Sequence, residues 1–277
     1  MARTLRTTLR KTLRALRPPQ PPELVPIGDL ATPEGREQLI PRQVFQRARE
    51  RLVHPTQHAA MQLVRETNSD LGWFLFDNEE ADAYMAECWS DHPIWDVYRK
   101  ATFGQMKADI FRYCILFERG GYYLDSNKGL EGKFTDLHPA DAEALITYES
   151  NLSLDAPDPE VARQLQHPLN LVVQWSMGFA PGHEILRTTI DRIVASAPFF
   201  AGHSFSRPKN AILALTGPGM FTHAVREYVS QRGTAGISQA GIDFNGLGIF
   251  RLKGSKLATA HPALDYASLR DQEVLKP

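Results

Sequence analysis

Short apolar runs alternate with helix-like stretches along most of this chain, and no other feature constrains the fold as much. The pattern predicts the following elements: strands over Gln43–Gln46, Gly72–Phe76, Tyr122–Asp125, Ala144–Tyr148 and Leu171–Phe179, and helices over Thr56–Thr67, Glu79–Trp89, Gln105–Glu118, Glu184–Ala195 and Met220–Gln231. Such alternation is typical of a mainly parallel sheet covered by helices. In sheets of this kind ligands bind in the crevice outside the carboxyl ends of the strands, so functional residues are expected there.

The beginning of the chain has a different composition from the rest. Residues 1–22 contain six basic residues and no acidic one, whereas the whole chain has 31 basic and 32 acidic residues. Leucines at positions 5, 9, 13 and 16 fall on one stripe of a helix, and the prolines from Pro18 onward would end that helix. We therefore predict two parts: a basic amphipathic helix with a proline-rich linker over 1–22, and one α/β domain over 23–277.

Three interpretations of this basic segment remain open. It could lie on an anionic membrane surface, with arginines on the headgroups and leucines in the acyl boundary. It could be an organellar transit peptide, because it is rich in arginine and threonine and free of acids. It could also be a solvated basic arm.

Several classes of protein are excluded by composition. No stretch approaches the roughly 20 apolar residues that a membrane-spanning helix needs. The balanced overall charge argues against a nucleic-acid partner. Two cysteines are too few for a disulfide framework, which favours a reducing compartment. We expect a cytoplasmic protein, with the basic segment as its means of contact with the inner face of a membrane.

The most informative segment is QMKADIFRYCILFERGGYYLDSN, from Gln105 to Asn127. Asp109 and Arg112 are three residues apart and are therefore neighbours on one helix face. They could bind a sugar together, or they could form an ion pair on the helix surface. Asp125 lies at the carboxyl end of the predicted strand. It could bind a ligand there, or it could form a turn, which is the usual role of aspartate at such a position. On an extended chain Asp125 and Asn127 would share a face and aim their oxygens at one point. Such oxygen ligands suit Mg²⁺ or Mn²⁺, which in turn holds a pyrophosphate.

These residues resemble the core of the DXD-containing sugar transferases of glycosyltransferase family 32. The usual form of that core has A, D, two residues, R, a long helix, GG and YLDxD. Three further blocks resemble the family in the same order: IPRQVFQ near Ile40, VVQWSMGFAPGHEIL around Trp175 and LTGPGMFTHAV from Leu215. The resemblance implies a GT-A fold, a GDP- or UDP-sugar donor and retaining transfer to a glycan or glycolipid hydroxyl.

The resemblance also implies roles for individual residues. Asp109 and Arg112 would bind the donor sugar, Asp125 would contact the ribose and the metal, and position 127 would be the principal metal ligand. These assignments make Asp109, Arg112 and Asp125 the catalytic candidates. The block of Val44, Phe45 and Gln46 would touch the nucleotide, and His261 is the candidate for completing the coordination of Mn²⁺ or Mg²⁺.

One position departs from the family pattern. Asn127 stands where the usual form has a second acid, and an amide oxygen supplies no charge, so divalent-cation affinity should be lower. One hypothesis is that Lys128 or Arg112 partly replaces the metal as counter-charge for the leaving diphosphate, which for Lys128 requires a turn at Ser126 or later. The alternative is a catalytically impaired homologue that binds nucleotide sugars and acts as a binding or interaction module.

Overall fold

The computed structural model describes residues 23–257 and 268–277. The main sheet has seven strands: β1 (Gln43–Arg47), β2 (Gly72–Phe76), β3 (Gly121–Leu124), β4 (Ala144–Leu152), β5 (Asn170–Val172), β6 (Ser176–Phe179) and β7 (Ile237–Ile242). The helices are α1 (Pro55–Thr67), α2 (Asn78–Trp89), α3 (Ile94–Lys100), α4 (Gly104–Arg119), α5 (Pro159–Ala162), α6 (Glu184–Ser196), α7 (Pro208–Leu215) and α8 (Pro218–Arg232).

The sheet is mixed but mainly parallel. Its strand order is β7-β4-β6-β3-β1-β2, and β5 pairs with β4 outside this path. Strand β1 pairs in parallel with both β2 and β3, and β7 pairs in parallel with β4. Strand β6 runs antiparallel between β3 and β4, and β5 is also antiparallel to its neighbour. Five of the seven strands thus end at one edge, where the predicted site residues are expected to meet.

Short pairings and turns complete the described structure. Three two-stranded ribbons pair Val25–Pro26 with Leu52–Val53, Gly129–Leu130 with Gly248–Ile249, and Ser204–Phe205 with Gln272–Glu273. Two 3₁₀ turns span Phe134–Asp136 and Ala197–Phe199. A further turn, Asp243–Gly246, follows β7 and holds Asp243, Phe244 and Asn245 at positive φ.

The two faces of the sheet are covered by separate apolar clusters, as expected for a layered α/β domain. Phe45 of β1 faces the larger cluster, which includes Phe111 and Cys114 of α4, whereas its neighbour Val44 faces the smaller cluster with Trp73 of β2. Successive residues of a strand point to opposite faces, so β1 is buried on both sides.

The junction between α4 and β3 depends on glycine. Gly120 caps α4 with φ near 61°, and a Cβ there would lie 2.7 Å from Cδ of Pro181 and 2.8 Å from Cδ of Pro41. This backbone conformation and close approach suit glycine alone among the common residues. The chain can therefore leave the helix and enter a buried strand within one residue.

The predicted α/β class with a mainly parallel sheet is confirmed. The expected single strand Leu171–Phe179 is wrong, however, because residues 173–175 separate two strands, β5 and β6. Strand β7 and helices α3 and α7 were not predicted. The predicted basic helix of residues 1–22 lies outside the described residues. Among the described helices, none is long and apolar enough to cross a membrane.

Candidate active site

A buried ion network joins α4 to the end of β3. Nη1 of Arg112 lies 3.2 Å from Oδ1 of Asp109, and Nη2 donates a hydrogen bond of 3.1 Å to Oδ1 of Asp125. The guanidinium also lies 4.8 Å from the centre of the Tyr123 ring and donates to the carbonyl of Gln174. The structure therefore brings together all three catalytic candidates, and Arg112 is the residue that joins the two acids.

Asp109 lies deepest in this network. Its Oδ1 accepts from the amide of Gln174 at 3.1 Å, and its Oδ2 accepts from the hydroxyl of Thr216 at 2.9 Å. Burial raises the pKa of Asp109 to about 6, although Arg112 opposes that rise. Burial lowers the pKa of Arg112, but Asp125 and other neighbours outweigh this effect and raise it overall, so the guanidinium stays charged.

Exposure separates the roles that these three side chains can play. The side chains of Asp109 and Arg112 are 7% and 4% exposed, whereas that of Asp125 is 27% exposed. Asp125 is thus the member of the network that a ligand can reach directly. Arg112 holds the Asp125 carboxylate by a direct hydrogen bond, and Asp109 in turn pairs with Arg112.

The chain turns immediately after β3. The amide of Lys128 donates to the carbonyl of Asp125 at 2.9 Å, which closes a four-residue turn over Asp125–Lys128. Ser126 anchors the turn to β1 by donating its hydroxyl proton to the carbonyl of Arg47, and Gln57 of α1 donates to the Ser126 carbonyl. The expectation that Asp125 and Asn127 share a face of an extended strand is therefore wrong, because Asn127 occupies an exposed position in a turn.

The same turn places Lys128 against the rings of Trp175 and Phe250. Lys128 is 8% exposed, and its ammonium lies 3.2 Å from the centre of the Phe250 ring and 5.1 Å from that of Trp175. Burial lowers the pKa of Lys128, while Asp125, Glu149 and Asp243 oppose the shift. Among the described residues its ammonium has no hydrogen-bond acceptor and no carboxylate within ion-pair distance.

A cavity of about 990 Å³ opens beside the network. Ala108 and Ser126, the chain neighbours of Asp109 and Asp125, both line it. So do Arg47 at the end of β1, Arg49 after β1 and Asn78 after β2, which places the cavity at the carboxyl edge of the sheet. Residues of the final segment, among them Asp271 and Glu273, form another wall. A cavity of this size is typical of small-molecule and cofactor sites.

The residues predicted to touch the nucleotide do not line the cavity. Val44, Phe45 and Gln46 are 0%, 2% and 2% exposed, because their part of β1 is covered on both faces. The cavity lining begins with the next residue, Arg47, whose guanidinium donates to Asn78 Oδ1 and to the carbonyl of Gly104. The nucleotide contact of these three residues stays a prediction. His261 lies outside the described residues.

The residues around Asp125 do not fit the divalent cation that the resemblance implies. Asp125 already pairs with Arg112, Asn127 offers a neutral oxygen from an exposed turn, and Lys128 places a cation beside them. In the described ranges, 23–257 and 268–277, no three His, Cys, Asp or Glu side chains form a group that could hold a metal ion. A hard cation prefers several anionic oxygens, and this site offers one partly neutralised carboxylate.

The region that contains this site is similar to known proteins. Residues 55–144 match the family model described as "Glycosyltransferase sugar-binding region containing DXD motif". A stretch of 185 residues is 29% identical to "Initiation-specific alpha-1,6-mannosyltransferase" of Candida albicans, and covers 60% of this chain and 46% of that protein. The protein of the same description from Schizosaccharomyces pombe is 25% identical over 165 residues, with coverages of 56% and 40%.

A solved structure, "PaToxG Glycosyltransferase", matches with a TM-score of 0.48 and 16% identity, over 70% of this chain and 71% of that chain. The chain spans less than half the length of the two mannosyltransferases that it matches. The resemblance inferred from the sequence is confirmed: residues 55–144 are similar to the sugar-binding region of DXD-containing glycosyltransferases of the family 32 type. Asp109, Arg112 and Asp125 all lie within the matched region.

Sequence reasoning missed several residues of the site. Gln174 and Thr216 are the internal partners of Asp109, and Arg49, Asn78 and Phe250 border the crevice or the cavity. Only Gln174 left a signal, because it is a polar residue inside the apolar run VVQWSMGF. A buried polar side chain in such a run needs a partner, and here that partner is Asp109.

Proposed function

We propose that this protein is a glycosyltransferase that passes a sugar from a nucleoside diphosphate sugar, with GDP or UDP as the nucleotide, to a hydroxyl of a glycan or glycolipid. The observation that carries the proposal is the Asp109–Arg112–Asp125 network beside a large cavity at the carboxyl edge of the sheet, inside the region that matches the sugar-binding family model. The mannosyltransferase relatives make a mannose donor the first to test.

Each member of the network has a distinct task in this proposal. Asp125 accepts hydrogen bonds from hydroxyls of the bound donor, because its carboxylate is the accessible one. Arg112 and Asp109 are positioning residues that fix the Asp125 carboxylate, since both are almost fully buried. Holding donor and acceptor in a reactive arrangement is the main source of rate enhancement here.

The transfer step needs charge stabilisation at the diphosphate. The bond between the anomeric carbon and the diphosphate oxygen breaks, and its electron pair stays on the diphosphate. The acceptor oxygen bonds to the same carbon, and its proton passes to an oxygen of the diphosphate. We propose that the sugar keeps its anomeric configuration, as the family resemblance implies. Cationic groups aimed at the leaving oxygens lower the barrier to such a step.

Arg49 is a candidate for contact with the nucleotide diphosphate. It lines the cavity and makes no hydrogen bond or ion pair with the rest of the described chain. Replacing Arg49 by Ala should weaken GDP or UDP binding about tenfold, the amount expected for one charge-assisted hydrogen bond. The matched control is Arg99→Ala on α3, where an exposed arginine pairs with Asp96.

The activity test is a transfer assay with GDP-mannose and other GDP- and UDP-sugars, in which released nucleoside diphosphate and glycosylated acceptor are both measured. We expect release that depends on the acceptor, and loss of at least about a hundredfold in Asp125→Ala, because several donor contacts are lost together. The anomeric proton signals of the product report retention. Donor hydrolysis or transfer that Asp125→Ala leaves unchanged would contradict the proposed site.

A second candidate function is favoured by Asn127. A neutral residue at the second acid position is consistent with a homologue that binds a nucleotide sugar without transferring it. The two functions separate in one experiment, because a binding module shows nucleotide affinity by calorimetry but no transfer with any donor and acceptor pair.

The location of the protein is also a proposal. We propose that residues 1–17 contact an anionic membrane surface on the cytoplasmic side, where a glycolipid acceptor would be within reach. Removing residues 1–22 should abolish sedimentation with vesicles that contain phosphatidylserine. Continued sedimentation of the shortened protein would assign membrane contact to another surface.

A further inference from the structure

The turn after β3 that carries the expected metal ligands also carries a buried lysine. The Asp125–Lys128 turn places Lys128 against Trp175 and Phe250, and the residue is more than nine-tenths buried. The ammonium ion carries three donors, and within the described part of the chain none of them meets a hydrogen-bond acceptor. Burying a charged group without partners is unfavourable, so an anionic ligand is the natural complement of this arrangement.

Aromatic rings fix the place of this ammonium. Phe250 and Trp175 lie 3.2 and 5.1 Å from it, measured to the ring centres, and cation–π attraction favours such positions. The charges of Asp125, Glu149 and Asp243 favour the charged ammonium, and that of Arg251 opposes it. The lysine thus has a defined position rather than a free range of conformations.

The turn also links this lysine to the cavity in which a donor would bind. Ser126 lines the cavity, Asp125 is the accessible acid of the network, and Lys128 closes the same turn. The charge of Asp125 acts on Lys128, so a divalent cation bound to Asp125 would be repelled by the ammonium, which would weaken its binding. An ammonium ion donates charge-assisted hydrogen bonds to phosphate oxygens and so can serve the same electrostatic purpose.

We propose that the Lys128 ammonium binds the diphosphate of the nucleotide-sugar donor in place of a divalent cation, so that donor binding and transfer proceed without added metal. This inference rests on the proposed function and adds to it the means by which the leaving diphosphate is stabilised. Lys128 is then a ligand-contacting residue, and Asn127 no longer needs to supply a charge.

Calorimetry with GDP and UDP tests the inference, with each titration performed in EDTA and again in Mn²⁺. We expect the better nucleotide to bind wild-type protein with affinities within about twofold of each other in the two buffers, since no metal is needed. The variant Lys128→Met keeps an apolar side chain against Trp175 and Phe250 but removes the charge, and should bind at least about tenfold more weakly.

Two further variants sharpen the test. Lys128→Arg keeps a cation and should retain affinity within a few-fold. Lys133→Met removes the same charge from an exposed position and should bind like wild type. Thermal unfolding of each variant confirms that it is folded, and Lys128→Gln replaces Lys128→Met if the latter is not.

The outcomes distinguish this inference from the function on which it rests. Binding by wild type that EDTA abolishes, or equal affinities of wild type and Lys128→Met, would overturn the role of Lys128 while leaving a glycosyltransferase in place. Binding of neither nucleotide by wild type in either buffer would overturn both proposals.

Discussion

Thr216 donates a hydrogen bond of 2.9 Å to Oδ2 of Asp109, and this bond joins the α7–α8 connection to the middle of α4. Both residues are buried, and the two lie far apart in the chain. A hydrogen bond to a charged group contributes more to stability than one between neutral groups. Thr216 therefore stabilises the position of Asp109, which pairs with Arg112, the hydrogen-bond donor to Asp125.

Replacing Thr216 by Val should reduce the free energy of unfolding by about 1.5–3 kcal/mol, because the shape is kept while the donor to Asp109 is lost. Urea unfolding at neutral pH measures the change. The control is Thr67→Val at the exposed end of α1, where we expect a change of less than about 0.5 kcal/mol. Equal effects at the two positions would show that the bond to Asp109 adds no stability.

The raised pKa of Asp109 predicts a specific dependence of stability on pH. Burial raises the pKa of the Asp109 carboxyl group from 3.8, the value expected in the unfolded chain, to about 6 in the folded protein. Between these values the folded protein keeps a proton that the unfolded chain has released, so stability falls as the pH rises through this window. The contribution of Asp109 is therefore fully present below about pH 4 and lost by about pH 6.

Comparison with Asp109→Asn isolates this effect, because other titrating groups act equally on both proteins. The stability of wild type relative to Asp109→Asn should fall by at most about 3 kcal/mol between pH 4 and pH 6.5, at about 1.4 kcal/mol for each unit of pKa. Urea unfolding at the two pH values measures it. A difference that grows with pH would mean that Asp109 is stabilised in its charged form.

Removing Arg112 should be more damaging than removing the acid beside it. Arg112→Met leaves the Asp109 carboxylate buried without its cation, which costs about 3–5 kcal/mol in the free energy of unfolding. In the double variant Arg112→Met with Asp109→Asn no charge is stranded, so we expect a loss smaller than the sum of the two single losses by about 1–3 kcal/mol. Additive losses in urea unfolding would contradict a direct interaction between the two side chains.

Gly120→Ala should destabilise the fold by about 2 kcal/mol or more. The new Cβ would meet Pro41 and Pro181 at less than 3 Å, in a backbone conformation that disfavours any side chain. Gly28→Ala is the control, because nothing lies within 4 Å of a Cβ there and the residue has no positive φ. Thermal unfolding measures both. Similar transitions for the two variants would show that the α4–β3 junction tolerates a side chain.

Local patterns predicted most elements to within a few residues. The strand Gly72–Phe76 was predicted with both of its ends and the helix Asn78–Trp89 with its last residue, because the periodicity of apolar residues follows these elements. Strand β7, with the sequence ISQAGI, alternates too weakly to be recognised. Its pairing with β4 supplies what its own sequence lacks, and such tertiary context often overrides local preference.

One part of the candidate site was predicted correctly and another was not. The spacing of Asp109 and Arg112 on a helix requires them to be neighbours, and they are. The expectation for Asp125 and Asn127 was wrong because it assumed that the strand continues, whereas Lys128 bonds back to Asp125 and closes a turn. The final conformation of this turn depends on Gln57 and Arg47, which hold Ser126 from other elements.

Three features follow from the amino-acid order alone: the α/β alternation, the family resemblance, and the helix-to-strand segment that carries Asp109, Arg112 and Asp125. Each of them depends on residues close together in the chain. Other features became visible only in the folded chain: Thr216 and Gln174 bond to Asp109, the cavity begins at Arg47, and Phe250 lies over Lys128. These contacts join distant segments through packing and hydrogen bonding, and local periodicity contains no information about which distant partners will meet.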